Sequence, residues 1–339
     1  MYAGFALQRY AVTSLPFIPF SDTGGEALSN TGAVVGGIPN PDGSVSLAQW
    51  FKGTLTELGA PPGVPSREFN RLRVFGINDS GMVVGTIHTS AGEVPSRSFV
   101  YDRGRFTVLP LVDAADLGGA AIGVNRRGEV VGFDRTSNNK TTAWLWSDDS
   151  YSSLPVSGSS TVAFGINSGG TIIGNRTLGR VRRILTAQFR RTGQRGYVLS
   201  HGTVQHLNGF VYAINDLGEA AGGTPSEAQA MAAVFKNGAV RVIVNLPSAA
   251  VGINSVADVV GFYQPSRADL RRLFIWNANS GGFDLTPDGY RSAQAAAIND
   301  SGQVLGFGET VSGEKPYFLL TPDPNGALIP KALAATRPA

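Results

Sequence analysis

Of 339 residues only 16% are charged and 42% are hydrophobic, with 44 glycines, which marks a turn-rich globular chain and excludes intrinsic disorder. A formal net charge of +3 is too small to indicate a nucleic-acid binder on charge alone. The absence of cysteine excludes disulfides, thiolate nucleophiles and cysteine-ligated metal centres, and no run approaches the ~18 apolar residues of a membrane-spanning helix.

In chain order, the N-terminal MYAGFALQRY lacks the basic and then long apolar pattern of a secretory signal. The first strand signal, Tyr10–Leu15 (YAVTSL), has no turn or partner strand near it in sequence. A ten-residue motif then recurs seven times. Its copies begin at Ala27 (ALSNTGAVVG), Gly76 (GINDSGMVVG), Gly123 (GVNRRGEVVG), Gly165 (GINSGGTIIG), Ala213 (AINDLGEAAG), Gly252 (GINSVADVVG) and Ala297 (AINDSGQVLG). By subtraction, the gaps between starts are 49, 47, 42, 48, 39 and 45 residues, the period of a four-stranded propeller blade and too long for leucine-rich coils.

Each copy reads as four strands, A to D. A small-residue strand such as Ala295–Ile298 leads through an Asn-Asp-Ser-Gly turn into a β-branched strand such as Met82–Val84, a tight hairpin. After a variable loop comes a third strand with large side chains two apart (Phe99 and Tyr101, Trp144 and Trp146, Phe274 and Trp276), then a short turn and a fourth strand such as Arg105–Leu109, Thr203–Leu207 or Ala239–Val244. The seventh copy reaches its third strand at Pro316–Leu320 and stops in TPDPNG. The expectation is therefore an all-β, single-domain, seven-bladed β-propeller over residues 1–322. Residues 1–16 supply the missing strand of the last blade and close the ring, and residues 323–339 form a C-terminal tail. The A–B and C–D turns fall at one end of each blade, and the longer B–C and D–A loops fall at the other, where variable loops on a rigid frame carry specificity.

GINDSGMVVG followed by SFVYDRGRFTVLP, and SLAQWFKGTLTELG in the first copy, resemble the bacterial HAF-type extracellular repeats, which alternate a GINNSGQVVG-like turn with an AFLW-x-NG-x-x-x-DLG hairpin. The resemblance covers nearly the whole chain. It implies a propeller-like β architecture and an extracellular or periplasmic location, and no particular activity. The chain departs from that pattern in lacking the histidine of the HAF tripeptide in its third strands and in showing no export signal.

Asp79, Asp216 and Asp300 in the turns invite a calcium reading. Asn and Gly there are what a tight hairpin requires, and Asn30, Arg126 and serine replace the aspartate in other copies, so the turns are read as structural with no metal site. The residues two and three past the closing glycine of each motif differ instead from copy to copy: Ile38-Pro39, Ile87-His88, Asp134-Arg135, Arg176-Thr177, Thr224-Pro225, Tyr263-Gln264 and Gly308-Glu309. If they converge on one channel mouth, they could bind an anionic ligand or perform acid–base chemistry. In the catalytic reading His88 or Tyr263 is the acid or base, Asp134 or Glu309 its partner, and Arg176 the oxyanion or carboxylate holder. The alternative is unrelated loop polarity.

The longest insertion, between Asn175 and Gly196, holds seven arginines and no acidic residue. Arg176, Arg180, Arg182 and Arg183 from it, with Arg135, Arg267, Arg271 and Arg272, form an expected basic rim for carboxylate, sulfate or phosphate groups. His201 and His206 are assigned to a C–D turn at the opposite end. No nucleophile elbow, zinc-helix motif or phosphate loop is present, and no cofactor is expected. The leading expectation is a propeller that binds a small molecule, glycan or protein on its B–C/D–A loop face, without nucleic acid. The alternative is a cofactor-independent lyase, cyclase or hydrolase at the channel mouth.

Overall fold

A computed structural model describes residues 8–17, 26–61, 69–89, 96–113, 116–138, 140–178, 194–225, 230–266 and 268–333. Among them all regular structure is β-strand. After β1 (Tyr10–Leu15) the chain forms seven antiparallel sheets in sequence order. The first comprises β2 (Ala27–Leu28), β3 (Val34–Pro39), β4 (Val45–Phe51) and β5 (Thr54–Gly59), and the second β6 (Phe69–Ile77), β7 (Val83–Thr89), β8 (Arg97–Asp102) and β9 (Arg105–Val108). The third comprises β10 (Gly119–Val124), β11 (Val130–Arg135), β12 (Thr141–Ser147) and β13 (Ser150–Ser153), and the fourth β14 (Ser160–Ile166), β15 (Ile172–Thr177), β16 (Gln194–Ser200) and β17 (Thr203–His206). The fifth comprises β18 (Phe210–Ile214), β19 (Ala220–Gly223), β20 (Ala232–Lys236) and β21 (Ala239–Val242), and the sixth β22 (Ser248–Ile253), β23 (Val259–Tyr263), β24 (Arg272–Asn277) and β25 (Gly281–Asp284). The seventh holds β26 (Tyr290–Ile298), β27 (Val304–Thr310), β28 (Tyr317–Pro322) and β1. These are the four-stranded blades of a seven-bladed β-propeller, the all-β class expected from the period.

The chain divides into two compact units, one of residues Asp22–Val211 and one of Met1–Ser21 with Tyr212–Ala339. In the second, β1 runs antiparallel to β28 from Tyr10 opposite Pro322 to Leu15 opposite Tyr317. Residues beyond the last blade then return along its edge. Leu328 exchanges both backbone hydrogen bonds with Tyr10 (3.0 and 3.1 Å), and β29 (Lys331–Ala332) adds a fifth strand to the sixth sheet against Phe283 and Asp284. That cover explains why β25 is wholly buried while β5 and β21 present exposed side chains, since an edge strand needs either a partner or polar exposure.

The apolar layers lie between consecutive sheets. In the first unit Met82, Val84, Val100 and Leu109 pack against Ala121, Val130 and Trp144, and Val131 and Ala143 against Ala163, Ile172, Tyr197 and Leu199. In the second unit Ala221, Ala232 and Val244 meet Ala250, Val259, Phe274 and Trp276, while Val260, Leu273 and Ile275 meet Ala293, Val304, Phe318 and Tyr10.

The recurrent motif has a separate physical reason at each position. Its asparagine is buried, as at Asn78, Asn125 and Asn254. The Asn125 Oδ1 accepts the Arg127 and Glu129 amides (3.0 and 3.1 Å), which holds the turn. Its Nδ2 donates to the carbonyl of the next copy's asparagine, Asn167 (3.1 Å). Asn78 donates likewise to Asn125 (2.9 Å), Asn215 to Asn254 (3.0 Å) and Asn254 to Asn299 (3.2 Å), so one side chain both caps its own hairpin and ties it to the neighbouring blade. The closing glycine answers to the third strand. Gly132 sits opposite Trp144, and a Cβ there would lie 2.7 Å from the indole and closer still to the Ala120 carbonyl. Phe99, Tyr197, Phe274 and Phe318 cover Gly85, Gly174, Gly261 and Gly306 in the same register.

Candidate functional site

Strand pairing puts three side chains of each of five blades on one face at the end carrying the B–C and D–A loops. They are the residue two past the closing glycine on the second strand, its partner on the third, and the fourth-strand residue opposite the covering aromatic. In the third blade these are Asp134, Thr142 and Ser153; in the fourth, Arg176, Arg195 and His206; in the sixth, Tyr263, Arg272 and Asp284. The second blade has Ile87, Arg97 and Val108, and the first Ile38, Ser46 and Glu57.

Asp134 is 2% exposed. Its Oδ1 accepts the Trp144 Nε1–H (3.0 Å) and its Oδ2 the Val112 amide from the loop entering the blade (2.8 Å). Burial raises its pKa above the ordinary carboxylate value, against the pull of these two donors. The carboxylate thus locks the covering tryptophan and the entry loop.

In the sixth blade Asp284 is the hub. Its Oδ2 accepts the Tyr263 hydroxyl (2.9 Å) and the Arg272 Nε–H (2.5 Å), and its Oδ1 accepts the Thr286 amide (2.7 Å). Tyr263 is 5% exposed, and burial, then the Asp284 charge, drive its hydroxyl pKa upward. A proton held between a buried phenol and a paired carboxylate is poorly placed for transfer to a substrate.

In the fourth blade the Arg176 Nη1 donates to the carbonyl and hydroxyl of Ser157 (3.0 and 3.3 Å) on the entry loop, while its buried Nε makes no hydrogen bond. Desolvation, and then the Arg176 charge, lower the His206 pKa. The structure corrects the placement of this histidine. His201 lies on the C–D turn at φ +48°, whereas His206 stands at the far end of β17, opposite Tyr197 and on the face of Arg176.

The period of two separates several other expected site residues from these. Arg135 and Glu309 are third past the closing glycine and so lie on the opposite faces of their sheets from Asp134 and Gly308. Arg135 donates to the Leu117 carbonyl (3.5 Å), and Glu309 pairs with Arg291. Arg271 and Arg272 are divided in the same way: the first covers the Phe262 ring (4.2 Å) and donates to Gln294 (2.6 Å), the second joins Asp284. His88, next to last in β7, lies opposite Arg71, but its side chain lies outside the described residues, as do Arg180, Arg182, Arg183 and Arg267. Asp134 and Arg176 belong to one compact unit, and Tyr263, Glu309, Arg271 and Arg272 to the other.

Asp284, Ser157 and the pairing of Arg195 with Arg176 were not singled out from the sequence. The signal for Asp284 and for the pairing of the arginines was the closing glycine, which fixes the strand register once its covering aromatic is known; Ser157, on a loop, had none. At the other end the turn aspartates make blade-to-blade contacts. Asp79 accepts from the Asn30 amide (3.2 Å) and from Arg126 (3.1 Å), and Asp300 from the Ser255 amide (2.8 Å). No group of three or more potential metal-ligating side chains occurs among the described residues.

No family model matches the chain, and no curated protein matches it. Solved structures do. A puromycin-hydrolyzing peptidase of Mycobacterium tuberculosis aligns with a TM-score of 0.56 at 10% identity over 92% of this chain and 51% of its own. The Pyrococcus horikoshii acylaminoacyl peptidase gives 0.53 at 12% identity over 93% and 52%. A chain of the Mitotic Checkpoint Complex gives 0.55 at 12% identity over 94% and 96%. The protein therefore spans about half the length of the two peptidases, and at these identities the likeness is one of fold.

Proposed function

We propose that the protein is a ligand-binding β-propeller that works through the blade end carrying its B–C and D–A loops, with anionic or carbohydrate groups as ligands, and that its motif places it with the HAF-type repeats. One observation carries the binding reading. At the turn end the copies are tied together by the same asparagine bonds, whereas at the loop end equivalent three-residue cells differ in chemistry from blade to blade. Uniform structure at one end and individual chemistry at the other is the pattern of a scaffold with a recognition face. The enzymatic alternative is less well supported, because two of the groups named for proton transfer, Asp134 and Tyr263, are buried and engaged inside their own blades.

The test is an immobilised array of neutral glycans, uronic-acid and sulfated glycans, and small carboxylates, probed with the purified chain at low and at physiological salt. Selective retention of acidic members that weakens with salt is expected. An array blank at both salt concentrations would refute the binding reading.

A further inference from the structure

The sixth blade does not end on its own outer strand. β25 reads Gly281-Gly282-Phe283-Asp284, and its one charge, Asp284, is turned onto Tyr263 and Arg272. The outer strands β5 and β9 present the exposed charges of Glu57 and Arg105, the kind of protection that an open sheet edge needs. β25 carries no such charge, and the chain's own C-terminal residues cover it. Asp284 pairs with Lys331 and Phe283 with Ala332, and the Leu333 amide donates to the Gly282 carbonyl (2.9 Å). The cover also grips both faces of the sheet. Leu328 packs with Leu273, Ile275 and Leu285 in the layer toward the seventh blade, and Leu333 with Phe274 and Trp276 in the layer toward the fifth. We propose that the outer edge of the sixth blade is a strand-acceptor site, filled here by residues 328–333 of the same chain and able to take that segment from a second copy by reciprocal exchange.

The connection that delivers this segment decides which molecule receives it. Tyr10 pairs with Pro322 on one edge of β1 and with Leu328 on the other, so residues 323–327 pass around the end of that strand. They pass closely. The Asp323 amide donates to the Arg9 carbonyl and the Gly326 amide to the Asp323 carbonyl (both 2.9 Å), and a Cβ on Gly326 would overlap the Tyr10 carbonyl. A segment donated by a second molecule makes the same contacts at the acceptor as one donated in cis, so the two arrangements differ chiefly in the connection. At its present length the connection holds the segment at its own acceptor at an effective concentration of roughly millimolar, which keeps the wild-type chain in the cis arrangement. Shortening it removes that advantage and leaves the acceptor intact. The inference is independent of the ligand reading above.

The first test is the full chain lacking only Pro324, Asn325 and Gly326. The three remaining Cα steps from Pro322 to Leu328 span at most about 11 Å, against about 10 Å straight across β1 at two interstrand spacings, which leaves no length to go around the strand. Light scattering at about 10 µM, far below the effective concentration in cis, should show this variant at twice the mass of wild type. An excess of a synthetic peptide of residues 326–333 should return it to the wild-type mass. The second test is Leu333→Asp in the full chain, which weakens the segment's own hold by burying a carboxylate among apolar groups and leaves the hinge and acceptor unchanged. It should bind the fluorescein-labelled peptide at least about tenfold more tightly than wild type, whose own segment competes. A peptide with aspartate in place of Leu333 should bind neither protein. The proposal is overturned by a hinge-deleted chain that keeps the wild-type mass, by a dimer of it that ignores the peptide, or by a Leu333→Asp chain, folded by circular dichroism, that takes up the peptide no better than wild type. If the hinge deletion does not fold, the Leu333→Asp measurement decides alone.

Discussion

The interblade asparagine bonds make a quantitative prediction at Asn254. This side chain is 3% exposed and makes four hydrogen bonds. Its Oδ1 accepts the Val256 and Asp258 amides (3.2 and 2.8 Å), and its Nδ2 donates to the Asn299 carbonyl and the Asp258 Oδ2 (both 3.2 Å). Asn254→Ala leaves the buried Asp258 amide without its acceptor and removes a donor from the buried Asp258 carboxylate and the Asn299 carbonyl. At about 1–3 kcal/mol for each stranded buried group, the loss should be about 2–4 kcal/mol. The first copy supplies a natural control, since Ser29 occupies the asparagine's position and its Oγ accepts the Ala33 amide at 3.0 Å. Asn254→Ser should therefore recover the turn but not the interblade bond, and fall between alanine and wild type. Asn254→Asp keeps both acceptor bonds but turns an oxygen toward Asn299 and a second carboxylate toward Asp258, so it should be at least as damaging as alanine at neutral pH. Urea unfolding of the four proteins, followed by tryptophan fluorescence, measures the series. A cost below about 0.5 kcal/mol for alanine, the range of surface substitutions, or a serine variant as stable as wild type, would refute the dual role assigned to this amide.

Two other positions of the motif can be tested by the same assay. The residue before Asp258, Ala257, has φ +63° where the other copies carry glycine, with φ +86° at Gly81 and +78° at Gly302. Ala257→Gly should therefore stabilise the protein by about 0.5–1 kcal/mol, since relief of the left-handed strain outweighs the added freedom of the unfolded chain; a loss of stability would show that the turn is not strained. Gly132→Ala should cost about 3 kcal/mol or more by forcing the backbone and Trp144 apart, and pairing it with Trp144→Ala should reduce the penalty of the alanine at 132. Strictly additive costs in that double-mutant cycle would contradict the account of the closing glycine.

The period, the strand order within a blade and the turn positions were legible because each depends on residues within about ten positions of one another. The glycine at φ > 0, the Asn cap and the alternating apolar strands are local signals. What the sequence did not disclose depended on partners 30 to 50 residues away. The Asn78 amide looks like a turn cap in its own copy, and only the superposition of two hairpins reveals its bond to Asn125. His206 was assigned to the turn end although Thr203–Leu207 reads as a strand, and the extended chain from Thr203 carries it to the opposite end of the blade. The adjacent Arg271 and Arg272 were grouped by charge, although neighbours on a strand point to opposite faces. Lys331–Ala332 pairs over two residues only, too short for any periodic pattern to register.

The two ends of a blade also differ in how change at one copy affects the others. At the turn end Asn78, Asn125, Asn215 and Asn254 each donate to the carbonyl of the next copy, so an altered side chain there disturbs two blades together. At the loop end some bonds also cross, as from Arg271 to Gln294 and from the Ala143 amide to Thr161, but these cell side chains bond within one sheet and its entry loop: Asp134 with Trp144 and Val112, Arg176 with Ser157, Tyr263 and Arg272 with Asp284. A cell there can exchange a carboxylate for an imidazole without a compensating change in its neighbour. The confinement of these side-chain bonds to single blades is thus what permits the blades to be alike in architecture and different in chemistry. It also means that a substitution within one cell, such as His206→Asp, should leave the interblade bonds of the turn end in place.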